Sequence, residues 1–379
     1  MKPLRTTVAA VAALALAGLA GAVPAHADVP TAQGLLQAGA VQGVADGYPA
    51  VVGLVRRGDT TQYASAGVGD LGTRAPADPK AQFRIGSNTK AFTSTVLLQL
   101  EAEGRLSLDD TVAKWLPGAV AANGYDGSKI TVRQLLNQTS GLPDYADGLF
   151  GVNYAANLQP YQTWAPQALV DLALSAHAPT SAPGQQWNYA NTNYVLAGMV
   201  VTAVTGSSPA DEIRRRIIEP LGLADTTFPT TDPTLHGNYL HGYEYPGGVS
   251  MVILDVTTSN VQAFGPAGAM VSTLDDLAAF GRALLTGKLL APAQQAELET
   301  AVPVNAALGY GLGIAHQQLP CGQWAWGHDG GVLGYYSNWL SSEDGSKQVV
   351  RVNTEYHLQG GTRGQADTGK AAVAAFCAL

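Results

Sequence analysis

Ser87 and Lys90 are the residues whose types and spacing first suggest chemistry. They lie at the predicted start of a long helix, whose apolar residues continue through Phe92 to Leu100 with helical spacing. At a spacing of three residues, both side chains project from the same face of the helix. An amine beside a hydroxyl, at the positive end of a helix dipole, is the arrangement that activates a serine nucleophile. A helix-capping serine near a surface lysine gives the same spacing, so the pair alone is a weak signal.

Tyr189 and Asn191 form the second candidate element. They follow a loop and precede a predicted helix, so both side chains could project into a cleft. The alternative is a structural tyrosine packed at the start of that helix. A similar triplet at 336–338 falls inside a predicted strand, where alternation sends Tyr336 and Asn338 to one face and favours a packing role.

The third candidate element is the segment His328-Asp329-Gly330-Gly331, between two predicted strands. Its two glycines permit close approach of a ligand to the backbone. His328 could donate to, or electrostatically tune, a neighbouring phenol or amine. The alternative is a histidine at a strand edge that is hydrogen-bonded to a loop.

The remaining histidines and the cysteines suggest no metal chemistry. His236 and His241 match no zinc-binding spacing, so we expect loop histidines and no metal site. The only two cysteines are Cys321 and Cys377. Export from the cell would favour a disulfide between them, and a catalytic thiol is disfavoured because neither cysteine has an evident base.

The N-terminus has the pattern of a signal peptide. Lys2 and Arg5 precede a short apolar run, and the small residues at 25–27 match a cleavage site, so we expect cleavage after Ala27 and secretion of the mature chain. A retained N-terminal anchor is the alternative. No other apolar run is long enough to span a membrane. The formal net charge of −8 argues against nucleic-acid binding.

Strand patterns lie near both ends of the chain and helical patterns in the middle. Residues 28–105 and 272–379 are predicted to form one discontinuous α/β domain, and residues 106–271 a helical domain with long loops. The site would lie in the cleft between them. The predicted helices, besides the one at Ser87, are 28–45, 131–136, 164–175, 192–205, 209–218, 272–285 and 364–375, and the predicted strands are 49–55, 63–68, 310–313, 324–327, 335–340 and 348–353.

The motifs Ser-x-x-Lys, Tyr-x-Asn and His-x-Gly, in this order, resemble those of the penicillin-recognising serine hydrolases. The chain is most similar to the branch that holds class C β-lactamases and exported actinomycete D-alanyl-D-alanine carboxypeptidases. The resemblance covers nearly the whole mature chain, including the cysteine pair. It implies an α/β fold with an antiparallel sheet flanked by helices, plus an all-helical domain, with the active site in the cleft between them. Further segments that belong to the pattern are 130–136, 139–145, 189–194, 267–273 and 309–313.

The resemblance implies a role for each motif residue. Ser87 would be the nucleophile, and Lys90 would hydrogen-bond to it and help accept or relay its proton. Tyr189 would be the general base for acylation and later for activating water. Asn191 would bind the amide side chain of the substrate. His328 replaces the lysine more usual in the third motif and would tune Tyr189. No metal or organic cofactor is implied.

The resemblance also implies an oxyanion hole formed by the backbone N–H groups of Ser87 and Gly331, where losing one donor typically costs roughly 3 kcal/mol. The substrate would lie along Asp329 and Gly330. The similar peptidases carry hydroxyl residues where this chain has Asp329 and Gly331, and an arginine that segment 315–321 lacks. If Asp329 faces the cleft, it should repel a terminal carboxylate and favour an amine or a neutral ester. If it points away, it is only a solvated charge.

The leading hypothesis is therefore a secreted, monomeric D-alanyl-D-alanine carboxypeptidase that penicillin would acylate at Ser87. β-Lactamase, D-aminopeptidase and esterase activities need the same machinery and remain alternatives. The substrate would be a small peptide, ester or β-lactam. A hypothesis of another class is a non-catalytic protein that binds cell-wall peptides, although a pure binder has no need of Ser87, Lys90 and Tyr189 together.

Overall fold

An eight-stranded antiparallel sheet, built from both ends of the chain, is the framework of the protein. The structure is a computed structural model that describes residues 31–245, 252–356 and 363–379. The predicted signal peptide at 1–27 lies outside the described residues. The antiparallel sheet flanked by helices confirms the predicted fold class.

Eight strands form this sheet. They are β1 (Ala50–Arg57), β2 (Thr60–Gly67), β7 (Val302–Asn305), β8 (Leu308–Tyr310), β9 (Ala315–Gln318), β10 (Trp324–Val332), β11 (Tyr335–Ser341) and β12 (Lys347–Asn353), and the short strands outside it are β3 (Phe83–Arg84), β4 (Tyr243–Glu244), β5 (Leu254–Asp255) and β6 (Val271–Ser272). The order across the sheet is β2-β1-β12-β11-β10-β9-β8-β7. The first and last parts of the chain therefore meet where β1 pairs with β12.

The α-helices are also numbered in chain order. Those of the described residues are α1 (Ala32–Ala45), α2 (Thr89–Ala102), α3 (Val112–Trp115), α4 (Val132–Leu136), α5 (Gly148–Ala155), α6 (Pro166–Ala176), α7 (Asn191–Thr205), α8 (Pro209–Ile213), α9 (Glu219–Leu221), α10 (Gly265–Gly268), α11 (Leu274–Leu285), α12 (Pro292–Leu298) and α13 (Arg363–Cys377). Helices α1 and α13 pack against each other and against the sheet, while α11 packs against β12 and β11.

Alternating side chains of the sheet enter two separate apolar clusters. Val349 of β12 packs in a cluster with Ala372 and Phe376 of α13. Its neighbour Val350 belongs to the larger cluster, which also contains Trp339 of β11 and residues of α2 and α11. Because both faces of the central strands are covered, these strands consist of nearly continuous buried residues.

Helix α2 is buried almost all round, which is the property of an internal helix. Phe92 of α2 stacks on Phe280 of α11 with ring centroids 3.6 Å apart. Helix α7, from the middle of the chain, packs against α2, α4 and α6. The turn that carries Ser87 therefore begins a helix that is held from several sides. The division of the chain into domains at 105/106 and 271/272 stays a prediction.

The segment 328–331 differs from its prediction, since it lies inside β10 and not between two strands. Gly330 and Gly331 pair with Ser337 and Tyr336 of β11, which extends the strand to Val332. Strands β7 and β9 have no counterpart among the predicted strands. Both are short and only partly buried, so they lack the apolar pattern by which strands are recognised.

The expected disulfide joins Cys321 to Cys377 and ties the end of α13 to the turn before β10. In the part of the chain that is described, we find no helix with both the length and the apolar character needed to cross a bilayer.

Candidate active site

Ser87 lies in a 3₁₀ turn, Gly86–Asn88, that leads directly into α2. The sequence predicted Ser87 as the first residue of the helix, whereas α2 begins two residues later, at Thr89. The turn is fixed by its neighbours: the Asn88 side-chain amide donates to the carbonyl of Ile85 at 2.8 Å and to the Ser337 hydroxyl at 2.9 Å. The Thr89 hydroxyl donates to the carbonyl of Gly86 at 2.7 Å. Ser87 is thus half-buried on a rigid turn.

Gly86 brings this turn against the end of β10. Its φ is +52°, a conformation that side chains disfavour. A Cβ added at Gly86 would lie 2.9 Å from the backbone nitrogen of Gly331 and 2.8 Å from the carbonyl carbon of Gly330. The backbones of the two expected oxyanion-hole residues, Ser87 and Gly331, are therefore neighbours. Gly330 itself packs beneath the turn, against the carbonyl of Ile85.

Lys90 is fully buried, and its ammonium nitrogen contacts three oxygen atoms. Nζ lies 3.0 Å from Ser87 Oγ, 2.8 Å from Asn191 Oδ1 and 2.8 Å from the carbonyl oxygen of Ala267. The structure thus brings together residues separated by more than one hundred positions in the sequence, and it places the amine directly beside the expected nucleophile.

Burial lowers the pKa of Lys90 to about 7, because the charged form loses its hydration. The carboxylates of Asp144 and Asp329 act in the opposite direction and raise this pKa. A lysine with a pKa near neutrality is half in the amine form at pH 7, and only the amine form can accept a proton.

Tyr189 lies just before α7, and its ring is close to the lysine. Lys90 Nζ is 4.7 Å from the centroid of the Tyr189 ring. Burial raises the pKa of Tyr189 well above its usual value, and hydrogen bonding to Ser87 opposes this shift. The phenol therefore stays protonated at neutral pH. Asn191, the first residue of α7, donates from Nδ2 to Asp144 Oδ2 at 2.8 Å, so both ends of its amide are occupied.

His328 is buried, and its hydrogen bonds do not go to Tyr189. The two rings have centroids 6.2 Å apart. Nδ1 of His328 bonds to the carbonyl oxygen of Asp329, and Nε2 lies 2.9 Å from the hydroxyl of Tyr310. Since a carbonyl oxygen only accepts, Nδ1 carries the proton, and Nε2 accepts from Tyr310. Burial lowers the pKa of His328, which favours this neutral form.

Asp329 lies at the mouth of the cleft, with its side chain 64% exposed. Its Oδ2 accepts a hydrogen bond from the Tyr336 hydroxyl at 3.1 Å. The pairing with β11 puts Asp329 on the opposite face of the strand from His328. The negative charge of Asp329 nevertheless acts on the residues of the site, because it raises the pKa of both Tyr189 and Lys90.

The cleft in front of Ser87 has a volume of about 490 Å³. The described residues that line it include five of the predicted site residues, namely Ser87, Tyr189, Asn191, Asp329 and Gly331. Among these lining residues the only charged ones are Asp147 and Asp329. His236 and His241 are positioned elsewhere, where they approach Asp232 at 3.7 Å and Asp255 at 2.7 Å.

Sequence reasoning missed three parts of the site. Asp144 and Tyr310 lie in segments that matched the family pattern, but no spacing indicated that they bond to Asn191 and His328. Helix α5 forms one wall of the cleft, with Val152 and Tyr154 among its lining residues. Its two glycines and its asparagine make its sequence a poor helix signal.

The comparisons with known proteins agree with this geometry. The family model described as Beta-lactamase matches residues 31–364. Penicillin-binding protein 4* of Bacillus subtilis (strain 168) is 28% identical over 312 residues, which are 79% of this chain and 66% of that protein. Protein flp of Staphylococcus aureus (strain MW2) is 31% identical over 52% of this chain and 38% of its own length. The chain thus spans about two thirds of the first relative and well under half of the second.

Two solved structures are similar over nearly their whole length. A D-stereospecific amidohydrolase from Streptomyces sp. is 39% identical, with a TM-score of 0.83 and coverage of 91% of this chain and 98% of that one. A D-amino acid amidase from Ochrobactrum anthropi SV3 is 25% identical, with a TM-score of 0.78 and coverage of 92% and 98%. With a family model that matches most of the chain and a buried Lys90 against Ser87, the resemblance is confirmed. The chain belongs to the Beta-lactamase family and is a serine hydrolase of the β-lactamase and penicillin-binding protein group.

Proposed function

We propose that the protein hydrolyses amides or short peptides of D-amino acids that carry a free ammonium group. One observation carries this proposal: Asp147 and Asp329 are the only charged residues among the described residues that line the cleft. A carboxylate-lined cleft attracts an ammonium and repels the free carboxylate that a D-alanyl-D-alanine carboxypeptidase must bind. Similarity to a D-stereospecific amidohydrolase and a D-amino acid amidase supports the same substrate class.

The proposed chemistry begins with proton transfer from Ser87 to Lys90. Ser87 Oγ bonds to the carbonyl carbon of the substrate while its proton passes to the neutral amine of Lys90, 3.0 Å away. The carbonyl oxygen becomes negative and is stabilised by the N–H groups of Ser87 and Gly331. Breaking of the C–N bond leaves an acyl-enzyme, and the departing nitrogen takes up the proton. Water then gives a proton to Lys90 and attacks the ester carbon. The bond to Ser87 Oγ breaks, Oγ takes the proton back from Lys90, and the acid is released.

Tyr189 is assigned a different role from the one that the resemblance implied. Because its pKa is raised well above the usual value, its phenol is a poor base but a competent proton donor at neutral pH. Lys90, with a pKa of about 7, is the better proton acceptor. We therefore assign the base to Lys90. Tyr189 is assigned the role of a relay: its phenol gives a proton to the leaving nitrogen and regains one from the Lys90 ammonium, so that both groups return to their starting forms.

The test compares matched substrates that differ in charge. We would measure kcat/KM of the mature protein for D-alanine p-nitroanilide, its N-acetyl derivative, its L-enantiomer and diacetyl-L-lysyl-D-alanyl-D-alanine. The free D-amine should be the best substrate, and Ser87→Ala should not turn it over. At pH 8.5, where Lys90 is already almost wholly the amine, Asp329→Asn should reduce kcat/KM for the free amine about two- to fivefold, the size of an exposed ion pair, and leave the N-acetyl derivative unchanged.

The matched control is Asp171→Asn, which removes an exposed carboxylate on α6 that bonds to Gln167. It should change none of these rates. Release of D-alanine from the tripeptide faster than turnover of the free amine would contradict the proposal and favour the carboxypeptidase. Consumption of benzylpenicillin with no lasting adduct would favour a β-lactamase instead.

Secretion and a monomeric state are also proposals. The disulfide and the signal-peptide pattern support export. The mass of the protein in the medium, after expression with its own N-terminus, should correspond to a chain that begins at Asp28. Sedimentation of that product should give a mass of one chain.

A further inference from the structure

We propose that Asp144 is a positioning residue that points the lone pair of Lys90 at Ser87. Asp144 lies in the loop between α4 and α5 and is half-buried. Its Oδ2 accepts from Asn191 Nδ2 at 2.8 Å, and its Oδ1 accepts from the backbone N–H of Ala146 at 3.0 Å. The inference rests on the acyl-enzyme chemistry proposed above, but not on the D-amino acid substrate.

The orientation of the Asn191 amide follows from the chemistry of its two partners. Burial raises the pKa of the Asp144 carboxyl, whereas the hydrogen bonds from Ala146 and Asn191 and the charge of Lys90 lower it. In its ionised form the carboxylate only accepts hydrogen bonds, so the NH₂ group of Asn191 must face Asp144. The amide oxygen of Asn191 is then directed at Lys90, 2.8 Å from Nζ. Asp144 thus decides which end of the amide meets the lysine, although it does not contact the lysine itself.

The neutral form of Lys90 has two N–H donors and one lone pair. Two of its three neighbours, the Asn191 amide oxygen and the carbonyl oxygen of Ala267, can only accept. Both N–H groups are therefore used on these two oxygens. The lone pair is left for the third neighbour, the Ser87 hydroxyl at 3.0 Å, which has a proton to donate. This is the geometry that a base needs before the reaction begins.

A reversed Asn191 amide would defeat this arrangement. Its NH₂ group would then face Lys90 and compete with Ser87 for the lone pair. Rotation of a terminal amide by 180° changes little in shape, so only the hydrogen-bond partner prevents it. Asp144 is that partner, and its negative charge also opposes the effect of burial on the pKa of Lys90.

Other groups around the lysine also act on its titration. Those near Lys90 on the elements packed against it are Asp144, Tyr189, Tyr194, His328 and Asp329. Of these, Asp144 is the carboxylate that both accepts from Asn191 and raises the pKa of the lysine. Its removal should therefore change the rate and the pH dependence together.

The test is the pre-steady-state acylation of Ser87 by p-nitrophenyl acetate, measured from pH 5.5 to 9. Asp144→Ala should slow acylation tenfold to a hundredfold with KM within threefold of the wild type. Asp144→Asn should lose less, since its own amide oxygen can still accept from Asn191. In both variants the acid limb of the profile should move to lower pH. Asp171→Asn is the matched control and should behave like the wild type.

Each other outcome contradicts the proposal in a recognisable way. A rate in Asp144→Ala within twofold of the wild type, with an unmoved acid limb, would remove the role of Asp144 and leave the proposed function intact. A slower rate with an unmoved limb and a lowered melting temperature would show structural damage and also refute the positioning role. A wild-type protein that forms no acyl-enzyme would refute both the role and the proposed chemistry.

Discussion

The pH dependence of acylation is the prediction that most directly tests the chemistry of Lys90. Burial brings the pKa of Lys90 from 10.5 to about 7. At pH 8 about 90% of the lysine would then be the amine, whereas an unshifted lysine would be only about 0.3% amine. The shift therefore raises the fraction of competent base about 300-fold at pH 8.

The expected profile follows from that fraction. The acylation rate should rise about tenfold per pH unit below pH 6, bend near pH 7 and be level above pH 8. Stopped-flow release of p-nitrophenol from an ester reports this step directly. Tyr189→Phe should keep the bend near pH 7, because the phenol is not the titrating group. Lys90→Met should remove the bend together with most of the rate.

The free energy of unfolding should also change with pH because of the lowered pKa of Lys90. Because the folded-state pKa of Lys90 is below its unfolded value, the unfolded chain binds one more proton between about pH 7 and 10.5. Raising the pH through this window should stabilise the wild type relative to Lys90→Met by up to about 1.4 kcal/mol per pH unit. Urea unfolding at pH 7.5 and 9 measures the difference. A bend near pH 10 or a flat acylation profile, with no such difference in stability, would refute the assignment of Lys90 as the base.

Three other substitutions test the framework of the site. Gly86→Ala should slow acylation at least about 100-fold, because its Cβ would displace the Gly331 N–H that we propose as an oxyanion-hole donor. Near-normal acylation would exclude this oxyanion hole. Trp339→Ala should lower the free energy of unfolding by about 3–5 kcal/mol, measured by urea titration, since the ring is fully buried; a loss under about 1 kcal/mol would contradict the packing. Replacing Cys321 and Cys377 by serine should lower it by about 4 kcal/mol, the chain-entropy value for their separation of 56 residues, and a reductant should then have no further effect.

Local patterns in the sequence were sufficient for much of the fold. Alternating and continuous apolar runs located β1, β11 and β12, and helical periodicity located α1, α7 and α11 to within a few residues. The Thr131 hydroxyl accepts from the backbone N–H of Gln134, and the Gln134 side chain accepts from the backbone N–H of Thr131. The start of α4 is therefore encoded within four residues. Sequence reasoning missed the short strands β7 and β9 and the helix α5, because their residues lack a periodic apolar pattern. Contacts with neighbouring segments stabilise these elements.

The sequence also determined the chemical identity of the site. Ser87 and Lys90 at a helix start suggested an acyl-enzyme hydrolase. The roles of Tyr189 and Asn191 came from the resemblance that the three motifs carry together. The spacing could not say which group accepts the proton. That question depends on the pKa of Lys90, and therefore on burial.

Only the tertiary structure decided the hydrogen-bond partners. Lys90 is bonded to Asn191, 101 residues away, and to Ala267, 177 residues away, and His328 is bonded to Tyr310 and not to Tyr189. The orientation of the Asn191 amide depends on Asp144, whose importance no motif revealed. Residue types and their local spacing are properties of short segments, whereas burial, electrostatic fields and long-range hydrogen bonds exist only after distant segments have packed together.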